Sequence, residues 1–139
     1  MKTIVVATDG SAAADKAVDV AAGRAKQEQA RLVIVNVSEP FCPIGVSELD
    51  VSVFDNAMKK ESAAILEAAL AKAKTAGANA STVHEIGPPA EGIVAIAKRE
   101  GASEVFVASH GRHGIARAAL GSISSRVVEW APCTVTVVK

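Results

Sequence analysis

A glycine-rich segment contains the residue types best suited to binding an anion. It runs from Ala108-Ser109-His110-Gly111 to Leu120-Gly121-Ser122. Glycine lets a backbone approach a ligand closely and turn its N–H groups inward. Gly121 and Ser122 stand where a helix is predicted to begin, and the unpaired N–H groups of a helix N-terminus favour phosphate. Such glycines can equally be plain turn residues, and Ser122 can equally cap the helix, so both interpretations stay open.

The distribution of charge supports an anion site in this part of the chain. The sequence has 15 basic and 15 acidic residues, which gives a net charge of zero. Residues 101–139 hold four basic and two acidic residues, a net of +2, whereas residues 1–100 hold 11 and 13, a net of −2. A neutral chain with 3% aromatic residues lacks the positive surface and the stacking platforms that nucleic-acid binding needs. We therefore expect no nucleic-acid partner.

Strand and helix patterns alternate along the chain. Short β-branched runs predict five strands, at Thr3–Thr8, Arg31–Val37, Ala78–Glu85, Glu104–Ser109 and Thr134–Lys139. Amphipathic stretches predict four helices, one capped by Ser11, one over Val53–Ala76, one from Pro89 to Gly101 and one over Ser122–Ala131. The alternation predicts a three-layer α/β sandwich with a five-stranded parallel sheet, formed by residues 1–139 as a single domain.

Several finer features follow from the same patterns. Ser38–Ser52 is predicted to be an irregular loop, and the long helix after it is predicted to bury Phe54 and Ala57 with its other apolar residues. His84 lies in a strand that alternates like a sheet edge, so we expect it to be exposed. Ligands bind parallel sheets at the carboxyl ends of strands, which points to Thr8-Asp9-Gly10, Val37 and Ser109-His110-Gly111.

The chain resembles the universal stress protein family from end to end. Thr8-Asp9-Gly10-Ser11 matches the family's first strand end, and Gly87-Pro88 matches the step before its third helix. Gly111, nine further residues and then Gly121-Ser122 match the pattern of nucleotide-binding members, although Ala108 replaces the first glycine of that pattern. Ala131-Pro132-Cys133 and the final valine-rich strand also resemble the family.

The resemblance implies a small stress-response regulatory protein with a Rossmann-like adenine nucleotide site. The ligand would be ATP or a related adenine nucleotide, with Mg²⁺ or Mn²⁺ carried by its phosphates. Asp9 would bond the ribose or adenine edge, Val37 would line the adenine pocket, and Ala7 and Thr8 would adjoin them. Ala108, Gly111, Gly121 and Ser122 would surround the phosphates. Arg112 could also reach a phosphate, although a solvated arginine explains it as well.

The resemblance also implies a homodimer that pairs its last strands. One alternative is a homodimeric interaction protein that binds no nucleotide. Another is a slow ATPase, but the chain lacks a Walker lysine and a pair of acids for Mg²⁺, so we expect little turnover. His110 and His113 are not expected to bind a metal, because no third ligand is evident.

Composition also bears on the expected location of the chain. We expect no membrane span, because the apolar runs are far shorter than the ~20 residues of a spanning helix. The amino-terminal sequence has no signal-peptide pattern, so we expect a cytoplasmic protein. In that reducing compartment Cys42 and Cys133 are expected to be small buried or half-buried hydrophobic residues rather than a disulfide.

Overall fold

The fold is described by a computed structural model for residues 1–40, 47–111 and 120–139. Arg112, His113 and Cys42, which the sequence analysis singled out, lie outside these residues. The elements, in chain order, are β1 (Thr3–Ala7), α1 (Ala12–Glu28), β2 (Arg31–Ser38), α2 (Glu48–Thr75), β3 (Asn79–Ile86), α3 (Pro89–Arg99), β4 (Glu104–Ala108), α4 (Ser122–Trp130) and β5 (Thr134–Val138).

The five strands form one parallel sheet, as the sequence predicted. Their order in the sheet is β3-β2-β1-β4-β5. β1 lies at the centre, and its residues Ile4, Val5 and Val6 are fully buried, which explains their unbroken apolar run. β2 and then β3 are added on one side of β1, whereas β4 and then β5 are added on its other side. The strand order therefore reverses between β1 and β4, where a ligand crevice is expected.

Two hydrophobic layers cover the opposite faces of the sheet. Because successive strand residues point to opposite faces, Val6 and Ile34 pack with α1 and α2, whereas Val5 and Val35 pack with α3 and α4. Phe106 is the largest fully buried side chain and belongs to the first layer. Alanine and valine fill most of the remaining space, which lets the helices approach the sheet closely.

The predicted boundaries of α2 were wrong at its amino end. The helix begins at Glu48, not Val53, so the predicted Ser38–Ser52 loop is shorter. Phe54 is 44% exposed and Ala57 is also exposed, contrary to the predicted inner face. A helix of 28 residues is about 42 Å long, whereas the eight residues of β2 span about 26 Å, so α2 extends past the sheet.

Among the described residues, no helix has the length and hydropathy to cross a membrane.

The helix N-termini confirm the predicted cap at Ser11 and decide whether Ser122 is a cap. Ser11 caps α1, and its side chain accepts a hydrogen bond from the Ala14 N–H at 3.2 Å. In α4 the N-cap residue is Gly121, with no side-chain cap bond, and Ser122 is the first helical residue. The Ser122 hydroxyl therefore does not cap the helix, which was one of the two interpretations of this residue, since a capping side chain must precede the first helical residue.

A partly buried ion pair lies at the amino end of β4, away from the ligand crevice. The Arg24 guanidinium contacts the Glu104 carboxylate at 2.9 Å, and the Thr136 hydroxyl donates a hydrogen bond to the same carboxylate.

Cys133 is half-buried with a free thiol, as expected. Burial, and secondly the charge of Glu104, raise the pKa of this thiol above its usual value. The thiol is therefore held in its protonated form, in which it is a poor nucleophile.

Candidate functional site

A cavity of about 620 Å³ opens at the carboxyl ends of β1, β2 and β4, beside the N-terminus of α4. The structure brings together there every predicted site residue that it describes, namely Ala7, Thr8, Asp9, Val37, Ala108, Gly111, Gly121 and Ser122. The cavity also extends to α2, through residues such as Met58 and Ser62, which the sequence analysis did not connect with the site. Its position agrees with the crevice expected between β1 and β4.

The turn after β1 holds the Asp9 carboxylate in place. The Thr8 N–H still donates to the Val35 carbonyl at 2.8 Å, which keeps this residue in line with the sheet. The Ser11 N–H donates to Asp9 Oδ1 at 2.9 Å, and the Gly10 N–H donates to Thr8 Oγ1 at 3.1 Å. These local bonds are typical of Asp and Thr in tight turns, and they fix the direction in which the carboxylate points.

Gly111 approaches the other oxygen of the same carboxylate. A Cβ atom added at Gly111 would lie 2.7 Å from Asp9 Oδ2, closer than real side-chain contacts allow. Glycine at this position therefore leaves room for the Asp9 carboxylate, which any larger residue would displace. This contact joins two motifs that are distant in the sequence, the turn after β1 and the loop after β4, into one wall of the cavity.

The start of α4 provides donors for an anion, although not all those that were expected. The Gly121 N–H donates to the Ser109 carbonyl at 2.8 Å, so it does not point into the cavity as the sequence suggested. Ser122 and Ile123, in the first turn of α4, line the cavity. First-turn N–H groups have no carbonyl partner within a helix, and the positive end of the helix dipole adds to their attraction for anions.

A hydrogen bond from Ser124 connects α4 with the end of β4. Its hydroxyl is buried and donates to the Ala108 carbonyl at 2.5 Å. This bond fixes the N-terminus of α4 over the point where Ala108 leaves the sheet. The sequence gives no sign of this role, since a serine in the first turn of a helix is common on exposed faces.

Val37 lies on the wall that faces α3, in very close contact with a glycine. A Cβ atom added at Gly92 would lie 2.8 Å from Val37 Cγ1 and 3.0 Å from Cγ2. Gly92 therefore lets α3 approach the end of β2 more closely than alanine would. The signal available in the sequence was a glycine inside an otherwise amphipathic helix, which often marks such a contact.

A hydrogen-bond network runs along the cavity wall from Thr8 through Asn36, Ser38 and Ser62, and it corrects the expectation for His84. His84 is not simply exposed, because its Nε2 lies 3.0 Å from Ser38 Oγ. Ser38 Oγ is also 2.7 Å from the Ser62 hydroxyl and donates to Asn36 Oδ1 at 3.1 Å. Asn36 Nδ2 in turn donates to the Thr8 carbonyl at 2.8 Å. A lone asparagine within the apolar run of β2 was the only sign of this network in the sequence.

The charges that line the described part of the cavity are unevenly placed. Asp9, Glu39 and Glu61 are acidic, and the described lining includes no lysine or arginine. Glu39 and Glu61 follow β2 and lie on α2, on the far side of β1 from β4 and α4. An anionic group is therefore favoured at the α4 end and disfavoured at the α2 end.

Solved structures with the same fold include universal stress proteins. A universal stress protein in complex with cAMP superposes with a TM-score of 0.77 at 30% identity, covering 99% of this chain and 97% of the other. The universal stress protein UspA from Lactobacillus plantarum superposes with a TM-score of 0.87 at 26% identity, with the same coverage of both chains. The similarity therefore extends over the whole sandwich.

The amino-acid sequence has relatives of the same kind. Universal stress protein YxiE of Bacillus subtilis is 35% identical over 144 aligned positions, which cover 98% of this chain and 97% of the relative. The model of the universal stress protein family matches residues 1–139. By family match, sequence and fold, this chain belongs to the universal stress protein family.

Proposed function

We propose that this protein is a regulatory protein that binds ATP, or a related adenine nucleotide, in the cavity between β1, β4 and α4. The observation that carries the proposal is the contact between Asp9 and Gly111 beside the N-terminus of α4. It brings an acceptor suited to ribose hydroxyls next to donors suited to phosphate. The relative solved with cAMP supports an adenine nucleotide as the ligand class.

The nucleoside end of the site is proposed to lie over Asp9 and Val37. The Asp9 carboxylate accepts hydrogen bonds from the ribose hydroxyls and is already oriented by the Ser11 N–H. Val37 packs against the adenine ring from the end of β2. Apolar contact with the base and a few oriented polar groups are the usual composition of a small-molecule site.

The phosphate end is proposed to lie at α4. The N–H groups of Ser122 and Ile123 donate to phosphate oxygens, and the Ser122 hydroxyl adds one donor because it is not used as a cap. Ala108 and Gly111 leave space for the phosphates because their side chains are small or absent. The described residues form no cluster of three metal-ligating side chains. A divalent ion that accompanies the nucleotide is proposed to be held chiefly by phosphate oxygens and water, as Mg²⁺ commonly is.

Nucleotide that copurifies with the protein tests this proposal and separates it from the alternative of a nucleotide-free interaction protein. The protein is purified quickly without nucleotide, denatured with acid, and the supernatant is examined for adenine absorbance. We expect adenine in the supernatant, and less of it from an Asp9→Ala variant prepared in parallel. No adenine, together with no heat change on adding ATP, would favour the interaction protein.

We also propose that the protein forms a homodimer through β5. This strand is one edge of the sheet, and Thr134–Val138 is a β-branched run whose unpaired backbone groups could pair with a second copy. Light scattering at tens of micromolar is expected to give twice the 14.2 kDa chain mass. A mass of one chain at that concentration would contradict the dimer without affecting the nucleotide site.

A further inference from the structure

The polar network along the nucleoside end of the cavity is built from three neighbouring strands and one helix. It joins His84 on β3, Ser38 and Asn36 on β2, Ser62 on α2 and the carbonyl of Thr8 after β1. Asn36 is 6% exposed and Thr8 is 5% exposed. Buried polar groups are ordinarily hydrogen-bonded, and each buried side-chain polar atom of the described residues has a hydrogen-bond partner in the protein.

The number of available protons determines which group donates and which accepts in each hydrogen bond of this polar network. Asn36 donates through Nδ2 to the Thr8 carbonyl, which leaves Oδ1 to accept from Ser38. Ser38 has a single hydroxyl proton, and that proton is used on Asn36. The Ser38 oxygen must therefore accept from the Ser62 hydroxyl and from His84 Nε2–H. All of these bonds together hold the Asn36 amide in one orientation.

The Thr8 carbonyl lies at the point where β1 leaves the sheet. The Val35 carbonyl accepts a hydrogen bond from the Thr8 N–H, so the backbone N–H and C=O groups of Val35 point toward β1. Two residues later, Val37 directs its N–H to the same side, and in a continued parallel ladder that N–H would bond to the Thr8 carbonyl. Here the donor to that carbonyl is the Asn36 side chain, at 2.8 Å.

We propose that Asn36 is a positioning residue for the nucleoside, held in place by Ser38, Ser62 and His84. It acts in two ways, both of which rest on the proposed adenine nucleotide site. By bonding to Thr8, it fixes the peptide group that precedes Asp9, whose carboxylate must fit against Gly111. By taking the place of the Val37 N–H, it leaves that N–H directed into the cavity as a donor for the adenine edge.

The two roles predict the behaviour of an Asn36→Leu variant. Leucine has a similar size and no donor, so the Thr8 carbonyl becomes available to the Val37 N–H and the ladder lengthens by one bond. We expect adenosine to bind about tenfold more weakly, the effect of losing roughly one hydrogen bond. We expect Ser38→Ala to have a smaller effect in the same direction, because Asn36 keeps its donor and loses only its orientation.

The control removes a partly buried hydrogen bond at a distance from the site. Thr136→Val deletes the bond to Glu104 at the amino end of β4 and preserves the shape of the side chain. It is expected to lower the melting temperature without changing adenosine affinity. If Asn36 were only structural, its variants would behave in the same way as this control.

The experiment combines calorimetry with adenosine, thermal melting, and amide hydrogen exchange at Val37 measured by NMR. In the free unaltered protein the Val37 amide should exchange rapidly, and adenosine or the Asn36→Leu change should protect it. Strong protection in the free protein, or unchanged adenosine affinity in folded Asn36→Leu, would overturn the role of Asn36 alone. Rapid exchange without any adenosine binding would overturn the proposed function, and this role with it.

Discussion

Replacing Gly111 with alanine is expected to weaken the binding of adenosine and ATP together, by about tenfold or more. The added methyl carbon would lie 2.7 Å from Asp9 Oδ2, so the carboxylate must move. It cannot rotate freely, because its other oxygen accepts the Ser11 N–H at 2.9 Å. Since both ligands carry the ribose that Asp9 is proposed to bind, both should lose affinity to a similar degree in calorimetric titrations.

Gly23 offers a matched control for the same change. It lies in α1, and a Cβ atom added there meets nothing within 4 Å. Gly23→Ala should therefore leave both affinities unchanged and stabilise the helix by about 1 kcal/mol, the usual difference between the two residues. Unchanged adenosine affinity in a folded Gly111→Ala protein would show that Asp9 is not a nucleoside ligand.

A Gly121→Val change is expected to weaken ATP binding and spare adenosine. A Cβ atom at this position lies 3.5 Å from His110 Cα and 3.6 Å from the Ser109 carbonyl oxygen, which are ordinary contacts. The φ angle of −64° also suits any residue, so the variant should fold. The larger side chain would occupy the space in front of the first turn of α4. Losing one charge-assisted bond there corresponds to about tenfold or more in ATP affinity.

Ser122→Ala is the companion variant for Gly121→Val. It removes one donor but leaves the helix N–H groups in place, so ATP affinity should fall less. Its stability should stay near that of the unaltered protein, because Gly121 and not Ser122 is the N-cap. Both variants are compared with ATP and adenosine by calorimetry. Equal losses of the two ligands in Gly121→Val would mean that this turn does not hold the phosphates.

Much of the fold could be predicted because β-branched runs and amphipathic stretches report directly on burial. The run containing Ile4 to Val6 predicted a parallel strand buried on both faces, and these residues are fully buried. The start of α2 could not be predicted in the same way, because apolar residues such as Phe54 give no indication of where the sheet beneath a helix ends. Predictions therefore succeeded where burial alone determined the pattern.

The candidate site was predicted in its location and only partly in its contacts. Strand ends and the glycine motif indicated Asp9, Gly111 and Gly121, which line one cavity. Their hydrogen bonds depend on tertiary distances that the sequence does not contain, as the bond from the Gly121 N–H to Ser109 illustrates. For the same reason, the role of Asn36 is evident only once β1 and β2 are placed side by side.

Calorimetric titration of the nucleotide-free, unaltered protein with ATP and then with adenosine tests the central claim most directly. We expect saturable binding of one ligand per chain, with ATP in the micromolar range, which corresponds to about 8 kcal/mol of binding free energy. Adenosine should bind more weakly, because it lacks the phosphates proposed to bind α4. No saturable heat from either ligand at millimolar concentration, with the protein folded, would contradict an adenine nucleotide site in this cavity.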